Sequence, residues 1–454
     1  MDDEKSIYSF RIMTYNTMLT TPEFIRQNGQ HMRARLIPES ICRWEKKKGI
    51  LVDAIVLTEV IDPTSKKILF EQFVRSGFRF RTRPVSRNFL SDYPPKLFSG
   101  GIYVVSRHPI SDEKSIVFRD SCIGYDCYAS KGCVLAKIWK TVGGKGSHQG
   151  REVAVNILGT HLQAWDSETT NFVRRQQIQQ ITTFLAELPK SYSSVDPEHP
   201  KNYVLPTTEP LLVAGDFNLD FYSSREELEF LFHSIKCAIV PVAPSFQHSV
   251  LSTSRRENGT VLTIQAANIL DKNDPNQNMF TSDPEKNSLV GNDMSDSYKM
   301  QRFPEGCYED YMNTMKCTCC PQELLDYVFV STRHLQPIPD SESNAEVVVL
   351  KSQTPFIMNF NATTRRETRD LSDHFPVYAH LQFPLDKNKL EKNFSLEALK
   401  KASVTCRYEV LPPFNHTEAH AIHSKYKQIF LVVGGLVTSC ILFVLLKRVV
   451  RKKL

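Results

Sequence analysis

The chain has 454 residues and a net charge of +6, enough length for one large domain or two ordinary ones. Lys447, Arg448, Arg451, Lys452 and Lys453 supply five of those positive charges at the extreme C-terminus, so the rest of the chain stands near +1. A near-neutral body argues against a nucleic-acid binder held by phosphate contacts, and the absence of a collagen, heptad or solenoid period excludes fibrous and repeat architectures.

In chain order, 11–15 reads as a strand ending at Asn16, 39–48 as a helix with a basic end, and 53–57 as an apolar strand followed by Thr58 and Glu59. Residues 98–105 form a strand entered through Gly100 and Gly101 and left through Arg107, His108 and Pro109, with His108 structural. Asp126 and Lys131 then stand five apart, either as two solvated loop charges or as partners across a loop. Residues 153–158 lead into Gly159, Thr160 and His161. Residues 171–188 carry Phe172, Ile178, Ile181, Phe184, Leu185 and Leu188 near a 3.6-residue period, which predicts a helix.

The apolar run 211–214 predicts a buried strand, punctuated by Gly215 and followed by Asp216 and Asn218. That pair either closes an Asx-turn on nearby backbone or presents a carboxylate and a carboxamide on one side of an extended chain. Residues 226–232 predict a short helix, and 270–304, rich in Asp, Asn, Ser and Pro, a long surface insertion. Residues 324–330 read as a buried strand with Asp326 inside it, and a carboxylate in such a place needs a partner. Asp373 and His374 precede Pro376 and a last strand. Strands alternating with helices and ending in polar groups predict a layered α/β domain.

There are eleven Cys, and the N-terminal MDDEKSIYSF lacks an apolar signal core, so reduced thiols are expected. Cys307, Cys317, Cys319 and Cys320 lack the paired spacing of a zinc site. Residues 429–446, IFLVVGGLVTSCILFVLL, are eighteen residues without a charge. As a helix they span about 27 Å, enough to cross a hydrocarbon core. The organisation expected is a catalytic domain over 10–384, a connector over 385–428, a transmembrane helix over 429–446 and a basic tail over 447–454. The late position of the anchor favours a single-pass protein with a cytosol-facing domain, whereas the basic tail points the other way.

The ordered set Asn16, Glu59, His161, Asp216 with Asn218, Asp326, and Asp373 with His374 resembles the endonuclease/exonuclease/phosphatase superfamily. The likeness lies in GDFN at 215–218, LDY at 325–327 and SDHFPV at 372–377. Within it the chain is most similar to the neutral sphingomyelinases, through GTHLQA at 159–164, SGGIYVVSRHPI at 99–110, and Asp126 with Lys131 and Gly132. The resemblance implies a four-layer α/β/β/α sandwich of the DNase I-like kind. It also implies a Mg²⁺-dependent (or Mn²⁺-dependent) phosphodiesterase that cleaves sphingomyelin, or a related phosphosphingolipid, to ceramide and phosphocholine at a lipid bilayer.

On that pattern Glu59 is the metal ligand, Asn16 stands beside it, and Asp373 positions its loop or binds a metal water. His374 is the general base and Asp326 fixes its tautomer. His161 donates to the phosphate or protonates the leaving alkoxide, and Asp216 and Asn218 orient water and bind phosphoryl oxygens. Asp126 and Lys131 would form a switch near the site. The alternatives are a nuclease or RNA deadenylase, an inositol-polyphosphate phosphatase, whose Trp-Cys-Asp-Arg signature is replaced here by LLDY at 324–327, and a non-enzymatic membrane scaffold.

Overall fold

The computed structural model describes residues 7–20, 29–86, 96–143, 150–190, 203–221, 223–239, 254–256, 259–261, 280–283, 286–290, 322–338, 343–359 and 365–385. The first elements are β1 (Ile7–Leu19), α1 (Gln30–Lys48), β2 (Ala54–Val60), α2 (Pro63–Arg75), β3 (Phe80–Arg81), β4 (Phe98–Ser99), β5 (Tyr103–Ser106) and β6 (Ile110–Val117). A 3-10 turn (Gly124–Tyr128) leads to β7 (Ala129–Ser130), β8 (Gly132–Val142), β9 (Arg151–His161), α3 (Glu168–Ala186), β10 (Leu211–Asp216) and α4 (Arg225–Ile235). The last are β11 (Cys237–Ile239), β12 (Ser254–Arg256), β13 (Gly259–Val261), β14 (Asp326–Ser331), β15 (Asn344–Val347), β16 (Lys351–Asn359), β17 (Arg365–Asp370) and β18 (Val377–Pro384).

Two six-stranded sheets carry the fold, in the orders β15-β18-β1-β2-β5-β3 and β11-β14-β10-β9-β8-β6. Each has one parallel pair at its centre, β1 with β2 and β9 with β10. A parallel pair needs a long crossover, and α1 and α3 supply these two.

Period-two alternation sorts the strand residues into layers. Phe10, Ile12, Ala54, Val56 and Val104 face the second sheet and pack with Val134, Val155, Ile157, Leu212 and Ala214. Their neighbours Met13, Tyr15, Ile55, Leu57 and Val105 face outward onto Ala34, Ile37 and Ile41 of α1 and Ile68, Leu69 and Phe73 of α2. Ile178, Ile181 and Phe184 of α3 and Leu228 and Leu231 of α4 cover the far side of the second sheet. The result is the expected α/β/β/α order. Each fully buried Leu or Ile contributes about 1.5–3 kcal/mol.

Two glycines set close approaches, one between the sheets and one between paired strands of the second sheet. A Cβ on Gly159 would lie 2.9 Å from Val56 Cγ1, so its absence lets β9 approach the first sheet. Gly215 has φ +149°, and a Cβ there would lie 1.9 Å from the Thr160 carbonyl oxygen.

Three expectations change. The 270–304 stretch is not purely a surface insertion: among its described residues Phe280, Thr281, Asp283, Asn287 and Leu289 are buried. Its polar groups bond strand-end backbone, so low hydrophobicity there does not mean exposure. Cys122 and Cys127 form a disulfide, not two reduced thiols. Glu59 and His161 lie within β2 and β9, whose hydrogen bonding runs past the apolar runs that marked them. The four clustered cysteines, the connector from 386 onward, 429–446 and the basic tail lie outside the described residues. Among the described residues no helix is long and apolar enough to cross a membrane.

Candidate active site

The second sheet presents three chemical groups in one row. Asp216 is registered against His161 across the parallel β9–β10 pair and against Asp326 across the antiparallel β10–β14 pair. All three share the parity of residues that face the first sheet, and all three are buried. The first sheet answers with Asn16 and Glu59, on neighbouring strands, and with His374 just before β18.

Glu59 reaches this row against its parity. Leu57 belongs to the outer core, so a regular strand would send Glu59 there too. Its φ of +59° breaks the alternation, and its Oε1 lies 3.9 Å from His161 Nε2. A non-glycine residue in the left-handed region costs of order 1–3 kcal/mol and persists only where its surroundings hold it. Met18 (φ +51°), just beyond Asn16, and Asn218 (φ +51°) share this conformation.

Asn16 ties the sheets together. Its Nδ2 donates to Asp216 Oδ2 at 2.9 Å, and its Oδ1 accepts from the Met18 N–H at 3.1 Å. Asp216 also accepts the Asn218 N–H through Oδ1 at 2.9 Å, so the Asx-turn and the polar site are the same structure. The Asn218 amide donates to the Leu162 carbonyl at 3.2 Å.

His374 and Asp326 form a buried dyad, Nδ1 to Oδ2 at 2.6 Å. This is the partner that a carboxylate inside an apolar strand required. Burial alone would lower the His374 pKa, but the Asp326 charge and hydrogen bond, with Asp373 and Asp216, outweigh it and raise the ring well above its ordinary value. Asp373 Oδ1 lies 3.1 Å from the Ser372 hydroxyl and stands outside the convergent carboxylates among the described residues.

His161 behaves oppositely. Burial, then the charges of Lys131 and His374, push its pKa well below the ordinary value, so the ring is neutral. Lys131 Nζ stands 3.2 Å from His161 Nε2 and donates to Asp126 Oδ2 at 2.6 Å and to the Leu162 carbonyl at 2.8 Å. Asp126 also accepts the Ala164 N–H at 2.8 Å. Asp126 and Lys131 therefore do meet, across the loop closed by the Cys122–Cys127 disulfide.

The donor set fits a hard divalent cation. Ligand atoms of Glu59, His161 and Asp216 lie within 4.8 Å of one another, as do those of Asp216, Asp326 and His374. Asp326 Oδ1 is buried without a hydrogen-bond donor. Several carboxylates crowded into a buried site, one oxygen unsatisfied, leave room for positive charge.

Three supporting residues escaped the sequence reading. Arg33 is fully buried and donates to the carbonyls of Thr17 (3.0 Å), Met18 (2.7 Å) and Leu371 (3.1 Å). Ser372 donates to the Asn16 carbonyl at 2.6 Å. The Thr281 hydroxyl accepts from the Leu325 and Asp326 N–H groups. Nothing local in the sequence marks them, because their partners lie far away along the chain.

Two packed mixed sheets between helices, with a carboxylate and imidazole site where strands β2, β9 and β10 end, define the DNase I-like sandwich class. No family model matches the chain. Sphingomyelinase C 2 of Leptospira interrogans is 30% identical over 210 residues, covering 40% of this chain and 29% of that protein. A sphingomyelinase C of Bacillus cereus is 23% identical over 383 residues (82% of this chain and 88% of the relative). The chain spans less than two thirds of several relatives, 36% of a second Leptospira interrogans sphingomyelinase C and 65% of another from Bacillus cereus. Among solved structures, SmcL superposes with a TM-score of 0.55 at 22% identity, covering 82% of this chain and 99% of that one. A Staphylococcus aureus beta toxin with bound magnesium ions superposes with 0.55 at 21% identity over the same shares. In sequence the chain is similar to the sphingomyelinases C, and it shares the fold of SmcL and the beta toxin.

Proposed function

We propose that the protein is a membrane-anchored, Mg²⁺-dependent phosphodiesterase that hydrolyses sphingomyelin, or a related phosphosphingolipid, to ceramide and phosphocholine. The observation that carries this reading is the convergence of Glu59, His161 and Asp216 beside the Asp326–His374 dyad. A phosphodiester is slow to cleave in water, so a catalyst must aim a nucleophile and stabilise charge on the phosphoryl oxygens.

Glu59, with Asp216, would hold the cation, which supplies that charge stabilisation when bound (Mn²⁺ suits the same oxygen ligands). Asp326 holds the His374 proton on Nδ1; in the neutral ring, which the positive charge of a bound cation would favour against the pull of the carboxylates, Nε2 is free to take a proton from the attacking water. Asn16 fixes the Asp216 carboxylate, and Asn218 is held at its flank to bind a phosphoryl oxygen. Burial, and then the Lys131 charge, keep His161 neutral. Asp126, bonded to Lys131 and to the Ala164 N–H, couples the loop after β9 to that lysine, an arrangement that suits a switch.

Tethering through 429–446 would concentrate the site at the bilayer that holds its substrate. The basic tail and the Cys122–Cys127 disulfide favour a domain on the non-cytosolic side, against the cytosol-facing orientation expected from the late position of the anchor.

The test offers full-length protein labelled sphingomyelin, abasic DNA, RNA and a phosphoinositide, each with and without Mg²⁺. Headgroup release from sphingomyelin that depends on the cation supports the reading. Nucleotide or inorganic phosphate release in its place overturns it.

A further inference from the structure

The two members of the dyad belong to different sheets. Asp326 opens β14 of the second, whereas His374 precedes β18 of the first. A 2.6 Å contact between them requires the sheets to be fixed to each other at that point. The described residues of 280–290 lie across this seam.

Thr281 is fully buried. Its Oγ1 accepts from the Leu325 N–H at 3.0 Å and the Asp326 N–H at 3.4 Å, on the second sheet. Its carbonyl accepts from the Phe375 N–H at 2.7 Å, one residue past His374. Thr281 thus touches the backbone on both sides of the dyad. Ser282 and Glu323 exchange backbone hydrogen bonds at 3.0 and 2.9 Å, which anchors the segment ahead of β14. At the other end, Asn287 Nδ2 donates to the Ser372 carbonyl at 2.8 Å, and the Ser288 hydroxyl donates to Asp370 at 2.7 Å. Leu289 packs against Met18 and Met358 and pins that end to the first sheet.

We propose that 280–283 and 286–290 form a strap across the seam, and that Thr281 and Asn287 are positioning residues that set the contact between Asp326 and His374. The proposal deepens the reading of His374 as general base and rests on it. A buried segment of polar residues costs folding free energy unless its groups are satisfied. Here Thr281 and Asn287 meet that condition on the backbone of the dyad residues and their immediate neighbours. A displacement of about 1 Å at a reacting group costs of order a hundredfold in rate, so a strap acting at this point is felt in turnover before it is felt in binding.

The experiment compares Thr281→Val, which keeps the volume and loses the hydroxyl, with Thr281→Ser, which keeps the hydroxyl, and with Asn287→Ala. All are made in the full-length protein. Each is assayed for kcat and KM on sphingomyelin vesicles with Mg²⁺, for Tm, and for the low-field proton resonance of the His374 ring, identified by its loss in His374→Ala. Thr281→Val is expected to lower kcat about tenfold or more with KM within about twofold, and to shift the resonance. Thr281→Ser restores both, and Asn287→Ala moves both in the same direction as Thr281→Val. An unchanged kcat and resonance in folded Thr281→Val overturns the strap, as does a Thr281→Ser variant as impaired as Thr281→Val. If Thr281→Val does not fold, Asn287→Ala decides by the same two readouts. A wild-type protein that leaves sphingomyelin intact while the resonance responds refutes the proposed function and leaves the strap standing.

Discussion

Asp326→Asn separates catalysis from stability most sharply. The dyad contact is short, buried and made to a carboxylate, with His374 Nδ1 and Asp326 Oδ2 at 2.6 Å. A hydrogen bond to a charged group is worth about 1.5–3 kcal/mol, or roughly ten- to 150-fold in rate when the charge matters chiefly as His374 takes a proton. An asparagine that offers its oxygen keeps the Nδ1–H tautomer and gives up that charge. One that offers its NH₂ forces the proton to Nε2, where the ring no longer serves as a base. The two losses together predict a fall in kcat of about 10²–10⁴, with KM changed little. The fold should survive, because the neutral amide removes a buried carboxyl whose pKa burial, opposed by His374, pushes up to about 6.

The assay is phosphocholine release from sphingomyelin vesicles at saturating Mg²⁺, with Tm followed against pH in metal-free buffer. Net of burial, Asp326 raises the His374 pKa, so the folded state binds that proton more tightly than the unfolded state. The resulting stability is fully present below about pH 6.5 and is lost as pH rises through the folded value. Asp326→Asn should flatten this alkaline decline. It should also move the acid limb of the rate profile to lower pH, since burial is then left to lower the ring. A variant that keeps kcat within about threefold of wild type refutes the dyad as the proton-accepting unit.

Glu59→Gln removes the one carboxylate that the left-handed kink turns into the site, and the Mg²⁺ concentration for half-maximal activity should rise about 10–100-fold, measured by cation titration. Gly215→Ala should yield little folded protein, since its Cβ would sit 1.9 Å from the backbone oxygen of Thr160; soluble yield and Tm read this, and a stable Ala variant contradicts the close approach of β9 and β10. Lys131→Met removes a charge that, after burial, holds the His161 pKa down, so the His161 ring resonances should titrate at higher pH and turnover should fall. Cys133, whose thiol burial raises far above its ordinary pKa, should resist alkylation until the chain unfolds.

The site was legible where chemistry coincides with strand ends. Asp216, Asn218 and His161 follow apolar runs, and Asp326 stands inside one, so each announced itself as a polar group on a rigid support. The four layers follow from the same alternation, because Ile55 and Val56 must face different neighbours. Glu59 was found beside its strand, but its parity points the wrong way, and only the φ of +59° explains how it reaches His161. The strap was misread as surface because composition reports how much apolar area a segment has to bury. It does not report whether Thr281 and Asn287 meet backbone donors and acceptors many residues away. Arg33 was hidden for the same reason, whereas the contact between Asp126 and Lys131 was one of two readings that their five-residue spacing left open. The disulfide was set against by an expectation about compartment, and the spacing of Cys122 and Cys127 alone could not reverse it.

On the proposed anchoring, that disulfide bears on which side of the membrane would carry the site. A bond between Cys122 and Cys127 persists in oxidising compartments and is rare in the cytosol. If 429–446 crosses a bilayer, as proposed, the basic tail beyond it favours a cytosolic position for the tail itself and would put the catalytic domain opposite. The bond also matters to the chemistry, because the loop it closes carries Asp126 to Lys131, and Lys131 to His161. In sealed microsomes the domain should therefore resist added protease, sequons such as Asn361 should accept glycan, and Cys122 and Cys127 should react with maleimide only after reduction. A domain digested in intact vesicles, unglycosylated and with both thiols free, would place it in the cytosol, and the Asp126–Lys131 contact would then have to hold without its covalent closure.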